Sequence, residues 1–167
     1  AALADGVTVI ESAACEPEIV DLAGFLNAMG AKISGAGSPT ITIHGVKKLH
    51  GENHKIIPDR IETATFAIAA AATNGEITIK NCRAEHLRAV LDKLNEAGVS
   101  IRQRNGNLIV RRGKTLRAAD VTTLPYSGFP TDAQAQMMSL LALAPGISII
   151  TERIFESRFM HVSELAR

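Results

Sequence analysis

One pattern occurs three times along the chain: a glycine, a short run of alternating Thr, Val and Ile, and then a stretch of helical character. The three glycine-led runs are Gly6–Ile10, Gly75–Ile79 and Gly146–Ile150. In the first two copies a second glycine, Gly30 or Gly98, follows the helical stretch, and another apolar run comes after it. Alternating β-branched runs are typical of short strands, and glycine suits the residue just past a helix. The repeat therefore predicts an α/β protein built from copies of one unit.

The helical stretches are of two kinds. Between the paired glycines, apolar residues fall on one helix face; they are Ile19, Leu22, Ala23, Leu26 and Met29 in the first copy and Leu87, Val90, Leu91, Leu94 and Ala97 in the second. Residues 61–73 and 133–144 are instead apolar nearly all round. Such a helix is normally buried on every side, so we expect these two inside, with strands and amphipathic helices around them.

The composition argues against several classes of protein. A net charge of +1 does not suit a general polyanion binder, and aromatic residues, at 4% without Trp, offer no stacking platform for single-stranded nucleic acid. No apolar run approaches the roughly 20 residues of a membrane helix, and residues 1–6 lack the basic region of a signal peptide. We therefore expect a cytoplasmic protein with no nucleic-acid or membrane partner.

The cysteines indicate a reduced compartment. Cys15 and Cys82 are too few for a disulfide framework. Cys82 with Glu85 and His86 resembles a fragment of a metal site, but no second ligand pair accompanies it. No metal site is predicted.

The segment Gly128–Gln136 predicts an interruption of the chain followed by the start of a helix. Thr131 can act as the N-cap, and Gln134, three residues later, completes a capping-box pattern. Asp132 then lies in the first turn, where the helix dipole favours a carboxylate. Taken alone, the pattern favours a structural helix start over a carboxylate that holds a substrate hydroxyl.

Six segments in a fixed order change that balance. They are Glu11–Ile19, Met29–Ile33, Ile57–Thr63, Lys93–Gly98, Phe129–Asp132 and Thr151–Leu165. The most specific are Phe-Pro-Thr-Asp at 129–132 and Phe-Glu-Ser-Arg-Phe-Met-His at 155–161, which a generic βα protein would lack. Together they closely resemble the enolpyruvyl transferases, the family that includes EPSP synthase, and within it the branch that uses UDP-N-acetylglucosamine. The resemblance covers essentially the whole chain.

The resemblance implies an α/β fold, an inside-out α/β barrel built of βαβαββ repeats, of which this chain is a part. Each of the two domains in that family contains three such repeats. By analogy, residues 1–57 close the first domain and residues 58–167 open the second. We expect the remainder of the parent chain to hold the loop with the catalytic cysteine, before residue 1, and further phosphate-binding arginines, after Arg167. Cys15 is not that cysteine.

The reaction implied by the resemblance moves the enolpyruvyl group of phosphoenolpyruvate onto the 3-hydroxyl of UDP-N-acetylglucosamine and releases phosphate, with no cofactor. It is the first committed step of peptidoglycan synthesis. Such chemistry needs a group that holds and deprotonates the hydroxyl, an acid, and cations around phosphate and carboxylate. The resemblance assigns Asp132 to the sugar hydroxyl, as binder and candidate base. It adds Thr131, Ile154 and Arg158 to the substrate-binding residues, and Arg60 at an interdomain cleft.

Some of these residues also have purely structural interpretations. Thr131 either contacts the nucleotide or only caps the helix. Arg158 either lies beside the pocket or pairs with Glu156 or Glu152. His161 is expected to be a buried structural histidine rather than a proton shuttle.

The segment after Pro58 is interpreted in the same way. Asp59, Arg60 and Glu62 resemble a capping box, so Asp59 is expected to be structural.

Two other functions stay open at this point. The chain could be a scaffold or interaction piece without catalysis, since its basic residues are scattered, with Lys47–Lys48 and Arg111–Arg112 as the adjacent pairs. It could also belong to the sister activity on 3-phosphoshikimate. That acceptor is an anionic cyclic acid, which would need more Lys and Arg than the segment Phe129–Asp132 carries.

Overall fold

The computed structural model describes all 167 residues, which form two compact units, Ala1–Ile57 and Pro58–Arg167. Its strands and helices occur in the order β1 (Val7–Glu11), α1 (Pro17–Ala28), β2 (Lys32–Ser34), β3 (Thr40–His44), α2 (Arg60–Ala72), β4 (Glu76–Ile79), α3 (Arg88–Glu96), β5 (Val99–Arg104), β6 (Asn107–Arg112), β7 (Val121–Thr122), α4 (Gln134–Leu141), β8 (Ile150–Thr151) and α5 (Val162–Leu165). Short 3-10 turns at Ala84–Leu87 and Thr131–Ala133 precede α3 and α4. None of the helices combines the length and apolarity that a membrane crossing requires.

The first unit is a three-stranded antiparallel sheet with one helix. The central strand, β3, runs antiparallel to both β1 and β2. Its side chains Ile41 and Ile43 are buried, together with Ala23 of α1. The predicted apolar face of α1 is covered only in part, because Leu22 remains 52% exposed. Gly30 ends the helical segment at a φ of +99°, the conformation its position predicts.

The second unit repeats this arrangement. Here the central strand is β6, which runs antiparallel to both β4 and β5, with Ile77 and Ile101 on either side of Val110. The helix α3 packs on β5. All five residues of its predicted apolar face are buried; they are Leu87, Val90, Leu91, Leu94 and Ala97. The shared topology confirms the internal repeat.

The third copy is much shorter as a strand than the sequence predicts. The run Gly146–Ile150 contributes one residue to β8, which pairs in parallel with β7. Before that point, side chains replace the backbone ladder. The Ile149 amide donates to Asp120 Oδ1 at 2.8 Å, and the Ala119 amide donates to Ser148 Oγ at 3.1 Å. The connection from β7 to β8 runs through α4, which joins two parallel strands as a crossover helix.

The two apolar helices form the interior of the second unit. α2 packs against α4 and against β4 and β6. Its residues Ala64, Ala67 and Ala71 are fully buried. No residue of α4 is exposed, although Ala142 and Leu143, predicted as part of this helix, lie exposed beyond its end.

The prediction that α2 is buried on every face is wrong for this chain. A stripe of residues on its far side is exposed; they are Glu62, Phe66, Ala69 and Thr73. The side chain of Phe66 is the largest of them, and the residue is 51% exposed. An apolar circumference permits burial all round, but the neighbouring elements cover only one side of this helix.

Candidate functional site

The start of α4 is built differently from the predicted capping box. Thr131 begins a 3-10 turn, and its hydroxyl caps no backbone amide. It donates instead to Glu152 Oε2 at 2.8 Å, 21 residues along the chain. The side chain of Gln134 makes no capping hydrogen bond either. It is buried, and its Nε2 atom donates to the Arg158 carbonyl at 3.4 Å. A hydrogen bond donated to an ionised carboxylate is stronger than one between neutral groups, and this bond orients the Thr131 hydroxyl toward Glu152 and away from the helix amides.

Glu152 accepts four hydrogen bonds in this part of the molecule, one of them from Thr131. Its Oε1 atom accepts from the hydroxyl of Thr123 at 2.7 Å and from the amides of Ile154 and Phe155 at 2.8 and 3.2 Å. Burial raises the pKa of the Glu152 carboxyl. The hydrogen bonds from Thr123, Ile154, Thr131 and Phe155 together outweigh burial, so the pKa lies below its ordinary value.

Asp132 and Arg158 form an ion pair beside this carboxylate. Arg158 Nη2 donates to Asp132 Oδ1 at 2.8 Å, and Nη1 donates to Thr131 Oγ1 at 3.0 Å. The guanidinium carbon lies 5.2 Å from the centre of the Phe155 ring, within range of a cation–π contact. The alternative prediction, an ion pair of Arg158 with Glu156 or Glu152, is wrong, because the partner is Asp132. Both side chains of the pair remain accessible, with Asp132 54% and Arg158 38% exposed.

Ile154 follows Glu152 in the loop after β8. Its amide is already bound by Glu152 Oε1, so this donor is not free for a ligand. The residue is half-buried. The backbone group that Ile154 can still offer is therefore its carbonyl oxygen.

Arg60 lies in a different setting from the Asp132–Arg158 pair. Its guanidinium carbon lies 5.5 Å from the centre of the Tyr126 ring, and the two residues line a shallow pocket with His86 and Pro130. The preceding residue, Asp59, is the N-cap of α2, accepting from the amides at positions 61 and 62 at 2.7 and 3.1 Å. The structural interpretation of Asp59 is confirmed.

The histidine in the loop, His161, is half-buried, and its Nε2 atom is buried without a hydrogen-bond partner. Its ring lies 6.4 Å from that of Phe159.

No group of three or more His, Cys, Asp or Glu side chains could hold a metal ion. Cys82 instead donates weakly to the carbonyls of Ile79 and Gly106.

The structure thus brings together four of the five predicted site residues: Thr131, Asp132, Ile154 and Arg158. Sequence reasoning considered the residue that connects them, Glu152, only as a possible partner of Arg158. It missed Thr123, which is fully buried and whose hydroxyl also accepts from the Arg153 amide at 2.8 Å. The available signal was one of the two adjacent threonines Thr122 and Thr123, which is too common a feature to single out a residue.

The known proteins that this chain is similar to belong to one family of transferases. A family model for EPSP synthase (3-phosphoshikimate 1-carboxyvinyltransferase) matches residues 1–167, and the chain belongs to this family. The curated relatives include UDP-N-acetylglucosamine 1-carboxyvinyltransferase 1 of Caldanaerobacter subterraneus subsp. tengcongensis, 59% identical over 167 residues. A UDP-N-acetylglucosamine 1-carboxyvinyltransferase of Magnetococcus marinus is 58% identical over 168 residues. All of this chain is covered in both comparisons, but the chain spans 40% of the length of each relative.

Solved structures of the same family share the fold. The enolpyruvyl transferase NikO from Streptomyces tendae superposes with a TM-score of 0.86 at 28% identity, over 99% of this chain and 40% of that one. EPSP synthase from Acinetobacter baumannii gives a TM-score of 0.50 at 21% identity, over 88% and 35%, which is a likeness of fold alone. The predicted enolpyruvyl transferase-like fold, present in part, is confirmed.

Proposed function

We propose that this chain is part of a UDP-N-acetylglucosamine 1-carboxyvinyltransferase, which transfers the enolpyruvyl group of phosphoenolpyruvate to the 3-hydroxyl of UDP-N-acetylglucosamine and releases phosphate. The observation that carries the proposal is the identity of 58–59% to relatives of that name over the whole of this chain. Because the chain spans 40% of their length, the activity belongs to the longer protein. This chain would contribute residues that hold the acceptor sugar.

Asp132 is the residue we assign to the sugar hydroxyl. Arg158 binds its Oδ1 atom, which fixes the orientation of the carboxylate. The Oδ2 atom is then available to accept a hydrogen bond from a substrate hydroxyl and, in the reaction, its proton. The exposure of the side chain, 54%, keeps it within reach of a ligand.

The remaining site residues take supporting roles in this proposal. Thr131 and Arg158 hold Asp132 and border the acceptor site, and the Ile154 carbonyl accepts from the sugar. Arg60, whose guanidinium lies over Tyr126, binds a part of the substrate that is farther from the sugar hydroxyl. No cofactor is invoked.

The charge of the site favours this acceptor over 3-phosphoshikimate. The positive charge of Arg158 is already balanced by Asp132 at 2.8 Å, so the pair has no net charge. A neutral pair suits an uncharged hydroxyl, whereas an acceptor with a carboxylate and a phosphate would need unpaired cations. The sister activity is therefore the second candidate.

The proposal also gives the chain a place in a larger protein and in the cell. Residues 1–57 would close the first domain of the parent and residues 58–167 would open the second, a division that the two compact units support. The product would enter peptidoglycan synthesis, and with it cell-wall biogenesis, cell shape and cell division. Both substrates of such an enzyme are phosphorylated metabolites of the cytoplasm, where we place the protein.

The experiment is an acceptor comparison on the full-length protein that carries this segment. Phosphate release from phosphoenolpyruvate is followed with UDP-N-acetylglucosamine or with 3-phosphoshikimate as acceptor. We expect turnover with the sugar nucleotide and none above background with 3-phosphoshikimate. The reverse preference would replace the proposal by the sister activity, and release with neither acceptor would contradict both.

A further inference from the structure

We infer that Glu152 is a positioning residue, which holds Asp132 in place through Thr131 and Arg158. The inference rests on the proposed function, since it concerns the residue assigned to the sugar hydroxyl. It assigns to Glu152 no contact with substrate. Its role is to set the direction of a chain of hydrogen bonds that ends on the reacting carboxylate.

The first argument is the direction of that chain. A hydroxyl has one proton to donate, and an arginine can only donate. The Thr131 hydroxyl gives its proton to Glu152 Oε2, which leaves its lone pairs to accept from Arg158 Nη1. The other terminal nitrogen of Arg158 then donates to Asp132 Oδ1. An acceptor at position 152 therefore fixes where the Thr131 proton points, so that a lone pair of the same oxygen faces the arginine.

The second argument is that Glu152 connects the segments that make the site. Through Thr123, which is fully buried, it is joined to the end of β7. Through Thr131 it is joined to the turn before α4. Through two backbone amides it holds the loop that contains Ile154. One carboxylate thus sets the relative position of three segments: the end of β7, the turn before α4 and the loop that contains Ile154.

The decisive variant is Glu152→Gln, which keeps the shape of the side chain. Three donors meet at the Oε1 position, so the amide oxygen of Gln belongs there. The amide nitrogen then faces Thr131, which can no longer donate to position 152. The hydroxyl proton must then point elsewhere and the Thr131 oxygen faces two donors, the new amide and Arg158 Nη1, so the bond that holds Arg158 is disturbed. In the full-length enzyme we expect kcat to fall by about 10²-fold, the loss typical of a misplaced catalytic group.

A double variant separates positioning from a structural role. If Glu152 acts through Asp132, then Glu152→Gln should cost little further kcat in an Asp132→Asn background, because the group it positions has already lost its function. Thr131→Val, which removes the hydroxyl, should lose more kcat than Thr131→Ser, which keeps it. Glu96→Gln, the same substitution at an exposed site on α3, serves as the matched control and should leave kcat unchanged.

The outcomes are distinguishable. A large loss in the wild-type background and a small one in the Asp132→Asn background would support the inference. Equal factors in both backgrounds, or a Glu152→Gln enzyme within a few-fold of wild type, would overturn it while leaving the proposed function in place. If Glu152→Gln fails to fold, the two Thr131 variants provide the test. Equal kcat for Thr131→Val and Thr131→Ser would overturn the inference. A wild-type enzyme without phosphate release would overturn the proposed function and this inference with it.

Discussion

Arg158 and Asp132, 26 residues apart in the chain, are joined by a 2.8 Å hydrogen bond from Nη2 to Oδ1. The bond connects the loop after β8 to the turn before α4. It neutralises the charge on both side chains while leaving the carboxylate accessible. The proposed role of Asp132 depends on this pair, because the bond turns a helix-start aspartate into an oriented acceptor of hydrogen bonds.

A charge should destabilise the protein far more on the buried face of α2 than on its exposed face. Ala67→Glu places a carboxylate at a fully buried position and should lower the free energy of unfolding by more than about 2 kcal/mol. Ala69→Glu, two residues along on the exposed stripe, should change it by less than about 0.5 kcal/mol. Urea unfolding of the 167-residue chain measures both. Equal effects would show that α2 does not pack as described.

Alanine substitutions at two glycines should change the stability of the chain in opposite directions. Gly98 has a φ of +89°, and a Cβ atom there would lie 2.6 Å from the Thr115 carbonyl oxygen. Gly98→Ala should therefore destabilise the chain by about 1–3 kcal/mol. Gly24 lies within α1 with no atom near an added Cβ, so Gly24→Ala should stabilise it by about 0.5–1 kcal/mol. Thermal melts of both variants test this pairing, and a common sign would contradict it.

Glu152 should give the chain a measurable pH dependence of stability. Because the pKa of its carboxyl is lower in the folded than in the unfolded chain, its contribution is present above the ordinary pKa of 4.5. It is lost as the pH falls through the lower, folded value. The destabilisation caused by Glu152→Gln should thus be largest above about pH 5 and shrink toward pH 3. Urea unfolding of both forms across that range measures it, and a constant difference would be the contrary result.

The local features of this fold could be predicted from the sequence. The buried face of α3 follows from a 3.6-residue period that one packing neighbour satisfies, and the Asp59 cap uses amides two and three residues away. The failures involve partners distant in sequence. Thr131 donates to Glu152 instead of capping the helix. The run before β8 binds Asp120 through the Ile149 amide and Ala119 through the Ser148 hydroxyl, instead of forming a strand ladder. The same reason hid Glu152, since two of its four donors, the hydroxyls of Thr123 and Thr131, lie 29 and 21 residues away in the chain.

The isolated 167-residue chain should be inactive. Arg158, the cation of the candidate site, is already paired with Asp132, and the basic residues that do converge, Arg102, Arg111, Arg112 and Lys114, line a different pocket on the sheet. Phosphoryl and carboxylate groups need several converging cations. The purified chain, mixed with phosphoenolpyruvate and UDP-N-acetylglucosamine, should release no phosphate above background. Release that Asp132→Asn abolishes would contradict this expectation and place the whole reaction in this segment.

The most direct test of the account is the kinetics of Asp132 variants in the full-length enzyme, with Asp92→Asn on the exposed face of α3 as the matched control. Asp132→Asn keeps hydrogen-bonding capacity but cannot take the proton, so kcat should fall by about 10²–10⁴-fold while the Kd for UDP-N-acetylglucosamine changes by only a few-fold. Asp132→Ala should lose kcat at least as strongly. A folded Asp132→Ala enzyme that turns over within a few-fold of wild type would contradict the account and reduce Asp132 to a helix-start residue.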